Sequence, residues 1–291
     1  MTKKLLALLL ILMTFSCRNN KIGSEQAIIT VSIPPFMYFV EQIAGKDFEV
    51  NVMVPPGANP HVYEPVPAQI DKLRRSGAYI SNGFLGFEQT WLERFYEINR
   101  TMVKFSLGDD IEPIMNEHEH EGNHTEGADP HYWVSPKCAM NMALSVKELL
   151  CSLNPEAAGR YETNYDSLVT LISGADSMAL KLFSKHPGSS FMIYHPNLAY
   201  LARDYGLEEI PVESEGKEPS PSRLKELIDI ARAKNIKTIF VQREFDARNA
   251  HAIAGEIGAE VEIIDPLSAD WLKATMNTIY ALYNSMEKSY K

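Results

Sequence analysis

Short β-branched runs alternate with amphipathic segments along most of the chain, a pattern that predicts parallel sheets flanked by helices. In the first half, strands are expected at Ile28–Ile33, Phe48–Val54, Ala78–Ser81 and Val103–Ser106. Helices are expected at Phe36–Ala44, Pro67–Ser76 and Pro136–Leu150, with Pro34 and Pro35 ending the first strand. The second half repeats the theme with strands Phe191–Tyr194, Glu208–Val212, Thr238–Val241 and Glu260–Ile264. Its helices are expected at Asn197–Tyr205, Pro221–Lys234, Ala247–Ile257 and Ala269–Met286. At Pro221 the pattern is dense: Ser220 caps, proline suits the first turn, and Leu224, Leu227, Ile228 and Ala231 form one apolar stripe.

Between the halves, Tyr161, Tyr165, Leu168, Ile172, Ala175, Ala179 and Leu182 recur at helical spacing. Asn154 caps this stretch, Pro155 opens it and Pro187-Gly188 ends it. Some thirty residues at about 1.5 Å each span roughly 45 Å, the length of a two-lobed protein. The alternative is a coiled-coil dimer helix, but the stripe lasts only about three heptads, so a monomer is expected. The expected organisation is an N-terminal α/β lobe at 27–153, a linking helix at 154–186 and a C-terminal α/β lobe at 187–291.

The chain begins with Lys3 and Lys4 ahead of an apolar run, Leu5–Met13, and then Thr14-Phe15-Ser16-Cys17. Charge, a short greasy core and a small residue form a secretory signal over 1–16, too short to span a bilayer permanently. Cys17 then has the place of a bacterial lipoprotein acceptor, with 17–26 as a polar tether, although Thr14 and Phe15 fit that motif poorly. An extracytoplasmic protein, periplasmic or at the cell surface and held to the membrane by lipid, is expected. A formal charge of −10 disfavours nucleic acid as a partner and mildly favours cations. Cys138 and Cys151 fall within and at the very end of one expected helix, too far apart for a disulfide, and read as small buried residues.

Against this background four candidate ligands stand beside prolines at the ends of apolar segments: His61, His131, His195 and Asp265. Their wide spacing excludes a local finger, so only a tertiary fold could assemble them. In open α/β sheets the carboxyl ends of strands face a common crevice, and two ligands come from each half. Three imidazoles and one carboxylate suit a divalent transition metal, zinc above all; manganese, which prefers more oxygen, is the weaker fit. Because imidazoles must be neutral to bind, the set predicts affinity that declines below about pH 6. His186 and His251 read as helix-end or surface residues. A separate acidic stretch, Asn116–Gly127, carries His118, His120 and His124, which suggests an accessory zinc-collecting loop.

Five stretches in order, Val54-Pro-Pro-Gly-Ala-Asn-Pro-His61-Val-Tyr-Glu-Pro, Asp129-Pro-His131-Tyr-Trp-Val-Ser-Pro136, Glu218-Pro-Ser-Pro-Ser-Arg-Leu, Thr238-Ile-Phe-Val-Gln and Ile264-Asp265-Pro-Leu, resemble the zinc/manganese substrate-binding proteins of bacterial ABC importers. The resemblance covers essentially the whole mature chain. It implies two α/β lobes joined by a long backbone helix, one metal ion bound in the interlobe cleft, and a membrane permease of the ABC type as partner. It also implies His61, His131 and Asp265 as first, second and fourth ligands. At the third position, His195, zinc-type members resemble one another in carrying histidine and manganese-type members a carboxylate. Ser135 stands where an acidic residue is common. A zinc-dependent hydrolase is the rival class, but no Gly-x-Ser-x-Gly elbow occurs, and the His-Glu-x-x-His match at His120–His124 falls in the acidic loop and not on an expected helix. A surface adhesin with a structural metal would instead unfold on chelation.

Overall fold

The computed structural model describes residues 26–115, 127–213 and 218–289. The expected signal at 1–16, Cys17, nearly all of the tether, and the loop histidines His118, His120 and His124 lie outside the described residues.

Two parallel four-stranded sheets form the frame. The first comprises β1 (Ala27–Val31), β2 (Phe48–Val52), β3 (Ser76–Ser81) and β4 (Val103–Ser106), in the order β2-β1-β3-β4. The second comprises β5 (Ser190–Ile193), β6 (Glu208–Pro211), β7 (Thr238–Gln242) and β8 (Glu260–Ile264), in the order β6-β5-β7-β8. The two orders are the same, so equivalent strand ends lie at equivalent places. The inner strands β1, β3, β5 and β7 are almost wholly buried, as a sheet covered on both faces requires.

The helices of the first half are α1 (Pro34–Ala44), α2 (Pro67–Leu73), α3 (Gly86–Ile98) and α4 (Pro136–Leu153). Those of the second half are α6 (Ala199–Tyr205), α7 (Pro221–Ala233), α8 (Arg248–Ile257) and α9 (Trp271–Ser289). Prolines initiate rather than interrupt. Pro34 and Pro35 occupy the first turn of α1, where a missing N–H costs nothing, so they open a helix as well as ending a strand. Ser135 caps α4 by accepting from Lys137 N at 3.2 Å, and Ser220 caps α7 by accepting from Arg223 N at 3.3 Å. Gly206 and Gly258 close α6 and α8 in the left-handed conformation, at φ 68° and 66°. The helix α3 was not expected from the pattern. It carries Glu88 on its buried face, which breaks the apolar stripe.

The bridge between the halves is a 3₁₀ turn at Pro155–Ala157 followed by α5 (Ala158–Phe183), whose 26 residues at about 1.5 Å each give roughly 39 Å. Towards the first sheet, Arg160 Nη1 and Asn164 Nδ2 donate to the carbonyls of Ala44 and Ile43 at the end of α1, at 3.2 and 2.8 Å. Towards the second, Asp176 Oδ1 accepts from Tyr205 OH at 2.7 Å.

One apolar core runs through both halves. It joins Phe36, Phe39, Tyr132 and Trp133 to Phe191, Tyr200, Phe240 and Trp271. The two tryptophans lock it: Trp133 Nε1 donates to Pro266 O at 2.9 Å and Trp271 Nε1 donates to Trp133 O at 2.6 Å. A smaller core lies around Leu227, Val241 and Ile253 on the far side of the second sheet. Among the described residues no helix is long and apolar enough to cross a membrane.

Candidate metal centre

Both sheets present their carboxyl ends to one cleft. His61 lies in the loop that leaves β2, His131 just ahead of the 3₁₀ turn Tyr132–Val134, and His195 two residues beyond β5. Their ligand nitrogens all fall within 4.8 Å of one another. His61 Nε2 and His195 Nε2 are 3.1 Å apart, and His195 Nε2 and His131 Nε2 are 3.4 Å apart. Zinc bound tetrahedrally at about 2.0–2.1 Å holds its nitrogen donors about 3.3–3.4 Å from each other, so His195 already stands near zinc-site spacing from both His61 and His131.

The other nitrogens of two rings explain why the Nε2 atoms point inward. His131 Nδ1 meets Asp129 Oδ1 at 2.8 Å, and the same oxygen accepts from His131 N at 2.7 Å. His195 Nδ1 bonds to Glu213 Oε1, a carboxylate that is 4% exposed. A carboxylate on Nδ1 puts the proton there, leaves the Nε2 lone pair free and raises its basicity, the usual support of a metal-bound histidine. With protons on Nδ1, the neighbouring Nε2 lone pairs of His131 and His195 repel each other unless a cation lies among them.

The surroundings hold these rings in place. Phe245 stacks on His195, with centroids 4.5 Å apart and planes 15° from parallel, and Trp133 packs on His131 at 5.3 Å. Gln242 Nε2 bonds to His195 O, while Gln242 Oε1 accepts from His195 N at 3.3 Å. On the His131 side, Tyr200 OH donates to Asp129 O at 2.9 Å and Asn82 Nδ2 to Pro130 O at 2.9 Å. Asn82 is itself held by Glu88, whose Oε1 accepts from Asn82 N at 2.7 Å. Glu209 plays the same part for the His195 loop, accepting from Asn197 N at 3.1 Å and Leu198 N at 2.7 Å. Burial pushes the Glu88 carboxyl up to about 7 and that of Glu209 up to about 8.

Burial favours the neutral form of two of the imidazoles. Burial, reinforced by the neighbouring His131 and His195, pushes His61 down to about 3. Burial also lowers His195, although Glu213 pulls in the other direction.

Asp265 does not join the three rings. It follows β8 at the rim of the cleft, and its Oδ2 lies 3.3 Å from Arg243 Nη1. Asp129 and Glu213, which orient two of the three rings, were not singled out from sequence. The two histidines set aside there are elsewhere: His186 bonds to Glu287 Oε1 at 2.7 Å, and His251 is exposed on α8. Cys138 and Cys151 both lie on α4 as free thiols, the first buried and the second half-buried.

Two parallel-sheet lobes bridged by one long helix, with three imidazoles converging in the cleft between them, define a two-lobed metal-binding α/β protein. The profile of the family ZnuA, zinc-uptake complex component A, periplasmic, matches residues 29–285, and the chain belongs to that family. A crystal structure of ZnuA superposes with a TM-score of 0.84 at 37% identity, covering 90% of this chain and 100% of that one. A zinc-bound ZnuA deletion mutant superposes with a TM-score of 0.82, also at 37% identity, covering 90% of this chain and 98% of its own. Among sequence relatives, the high-affinity zinc uptake system protein ZnuA of Bacillus subtilis is 26% identical over 256 residues, 84% of this chain and 79% of its own. The zinc-binding lipoprotein AdcA of Streptococcus pneumoniae is 26% identical over 277 residues, 91% of this chain and 55% of its own. The chain therefore spans about half the length of that longer relative.

Proposed function

We propose that this protein is an extracytoplasmic receptor that captures one Zn(II) ion in the interlobe cleft and delivers it to the permease of an ABC importer, without catalysis. The observation that carries this reading is the convergence of three imidazoles whose ligand nitrogens lie within 4.8 Å of one another, two of the rings backed by buried carboxylates. His61, His131 and His195 are the proposed donors. Asp265 is the proposed fourth, turning from Arg243 to the ion; three neutral imidazoles and one carboxylate then leave the bound dication at net +1. Nitrogen donors in tetrahedral number favour zinc over manganese, which is better served by oxygen. The names of the relatives, zinc-uptake and zinc-binding proteins, support the same cargo.

The rest of the reading concerns delivery. Residues 1–16 direct export, lipid on Cys17 anchors the chain to a membrane through the tether at 17–26, and the folded part acts as a monomer. The lobes correspond to 27–153 and 187–291, joined through 154–186. His118, His120 and His124 form an accessory loop that gathers zinc beside the main site.

Elemental analysis of protein purified without added metal, followed by competition between zinc and manganese, tests the cargo. Zinc is expected at the main site and manganese should fail to displace it; preferential manganese retention would overturn the reading. Deleting Glu117–Gly127 should lower total zinc bound while leaving the tight site intact. Unchanged stoichiometry and uptake would remove the accessory role.

A further inference from the structure

The three rings are not supported alike. His131 and His195 each have a buried carboxylate on Nδ1, whereas among the described residues no carboxylate meets the ring of His61. His61 is instead presented by the segment between β2 and α2, which has no regular structure and contains Pro55, Pro56, Gly57, Pro60 and Pro65. Something other than a ring partner must fix where His61 stands.

One side chain spans that segment. Gln69, at the third position of α2, accepts on Oε1 from Tyr63 OH and from Val66 N, both at 3.0 Å. Its Nε2 donates to Val52 O at 3.0 Å and to Met53 O at 2.7 Å. All four hydrogen-bonding positions of the amide are used, the most an amide side chain can offer. The two donated bonds reach the point where the chain leaves β2, and the two accepted ones reach the point where it re-enters a helix, on either side of His61. Gln69 Oε1 also completes one half of a capping box, in which the third helical residue satisfies the N-cap amide. On its outer side the loop rests against α3, where a Cβ on Gly86 would come within 3.2 Å of His61 O. Asn59 Oδ1 accepts from His61 N at 2.9 Å and sets the local turn.

We infer that Gln69 is a positioning residue for metal retention: it clamps the two ends of the His61 loop and so holds the one proposed ligand that has no carboxylate of its own. The inference rests on the zinc-receptor reading above. In this arrangement His131 and His195 form the fixed part of the site, tied into the common core, and His61 is the ligand whose departure frees the ion. Loss of the clamp speeds that departure without disturbing the other two rings.

The test is a double-mutant cycle on zinc dissociation constant and dissociation rate, with thermal melts of every chelated variant. It uses the wild type, Gln69→Ala, Gln69→Glu, His61→Ala and the Gln69→Ala/His61→Ala pair. Gln69→Glu keeps the size but replaces two donors by an oxygen facing two carbonyls. Each single change at Gln69 is expected to weaken zinc by about 10- to 100-fold, as loss of an outer partner of a metal ligand does, chiefly through faster dissociation. In the His61→Ala background, Gln69→Ala should produce no further loss, because its effect passes through His61. Equal losses in both backgrounds would mean general damage and overturn the inference, as would wild-type affinity in both Gln69 variants. If His61→Ala itself binds zinc like the wild type, the receptor reading fails first, and the two failures are thereby told apart.

Discussion

The Nε2 atoms of His61 and His195, 134 positions apart in the chain, stand 3.1 Å from each other. No local structure brings them there: the first follows the carboxyl end of β2, the second that of β5, and the two sheets are joined through the shared core around Trp133 and Trp271. With the His195 proton held on Nδ1 by Glu213, its Nε2 lone pair faces the His61 nitrogen, and one dication between them converts that contact into two bonds. The fold thus holds donors in readiness instead of gathering them on binding.

Replacing the donors singly tests this directly. His61→Ala, His131→Ala and His195→Ala should each lower zinc affinity by orders of magnitude while the far-UV circular dichroism stays native. His195→Asp should shift preference towards manganese, because it exchanges a borderline nitrogen for a hard oxygen at one corner of the site. Zinc and manganese titrations of the four variants give the answer; undiminished zinc binding in all three alanine variants would remove the site.

The supporting carboxylates make a subtler prediction. Asp129→Asn and Glu213→Gln keep the shape but remove the charge that holds the proton on Nδ1. Each should cost about 10- to 100-fold in zinc affinity, less than loss of a ligand. Isothermal competition against a chelator measures the difference, and variants indistinguishable from wild type would mean that the carboxylates serve packing alone.

These residues also mark how far the chain could be read before its fold was known. The three histidines were legible because each sits beside a proline close to an apolar segment, the place where an open α/β sheet binds ligands. Glu213 was not, because its role depends on strand register: Ile193 pairs with Pro211, so His195 and Glu213, each two residues further on, emerge side by side. Nothing in the local pattern of Pro211-Val212-Glu213 announces that. Asp129 is next but one to His131 and reads as a turn residue. Helix α3 escaped because Glu88 occupies its buried face, satisfied there by Asn82 N and Gly83 N, and the stripe looks broken without those partners. Asp265 was legible in part. Its position at the end of β8 was foreseeable, but the competing guanidinium of Arg243, which follows β7, was not.

Burial changes the pH dependence expected of a histidine site. A free imidazole near its ordinary 6.5 would lose zinc below about pH 6, but His61 is held down to about 3 and His195 is also lowered. Protons therefore compete poorly for these two donors in the folded protein, and zinc affinity should fall less steeply below pH 6 than three free imidazoles would dictate. The dissociation constant measured from pH 7.5 to 4.5 checks this; a midpoint at 6.5 would contradict it.

Stability carries the same signature with a definite sign. Unfolded, His61 takes a proton near 6.5, whereas folded it refuses one until about 3, so the metal-free fold loses stability as pH drops through that window. Glu88 and Glu209 act oppositely, since carboxyls raised to about 7 and about 8 stabilise the fold as pH falls. The His61 contribution is isolated by difference. Wild type minus His61→Ala, from urea unfolding of chelated protein, should fall between pH 6.5 and 4.5, and a flat difference would show that the ring titrates normally.

Removing the ion should leave the fold standing. The core that joins the lobes runs from Phe36 and Phe39 through Trp133 to Trp271, rings that pack on one another, with Trp133 also packing on His131. Chelation is therefore expected to lower the melting temperature without unfolding the protein. The shift should follow zinc concentration as binding to the native state alone requires, about 2.7 kcal/mol at a free concentration one hundred times the dissociation constant. Trp271→Ala should do what chelation does not: it opens a cavity against Tyr38 and Phe39, removes the bond to Trp133 O, and costs about 3–5 kcal/mol with or without zinc. Calorimetry of both proteins in chelator and in excess zinc separates the two effects. If wild-type protein loses its cooperative transition in chelator, the metal is a structural element of the fold and not a cargo.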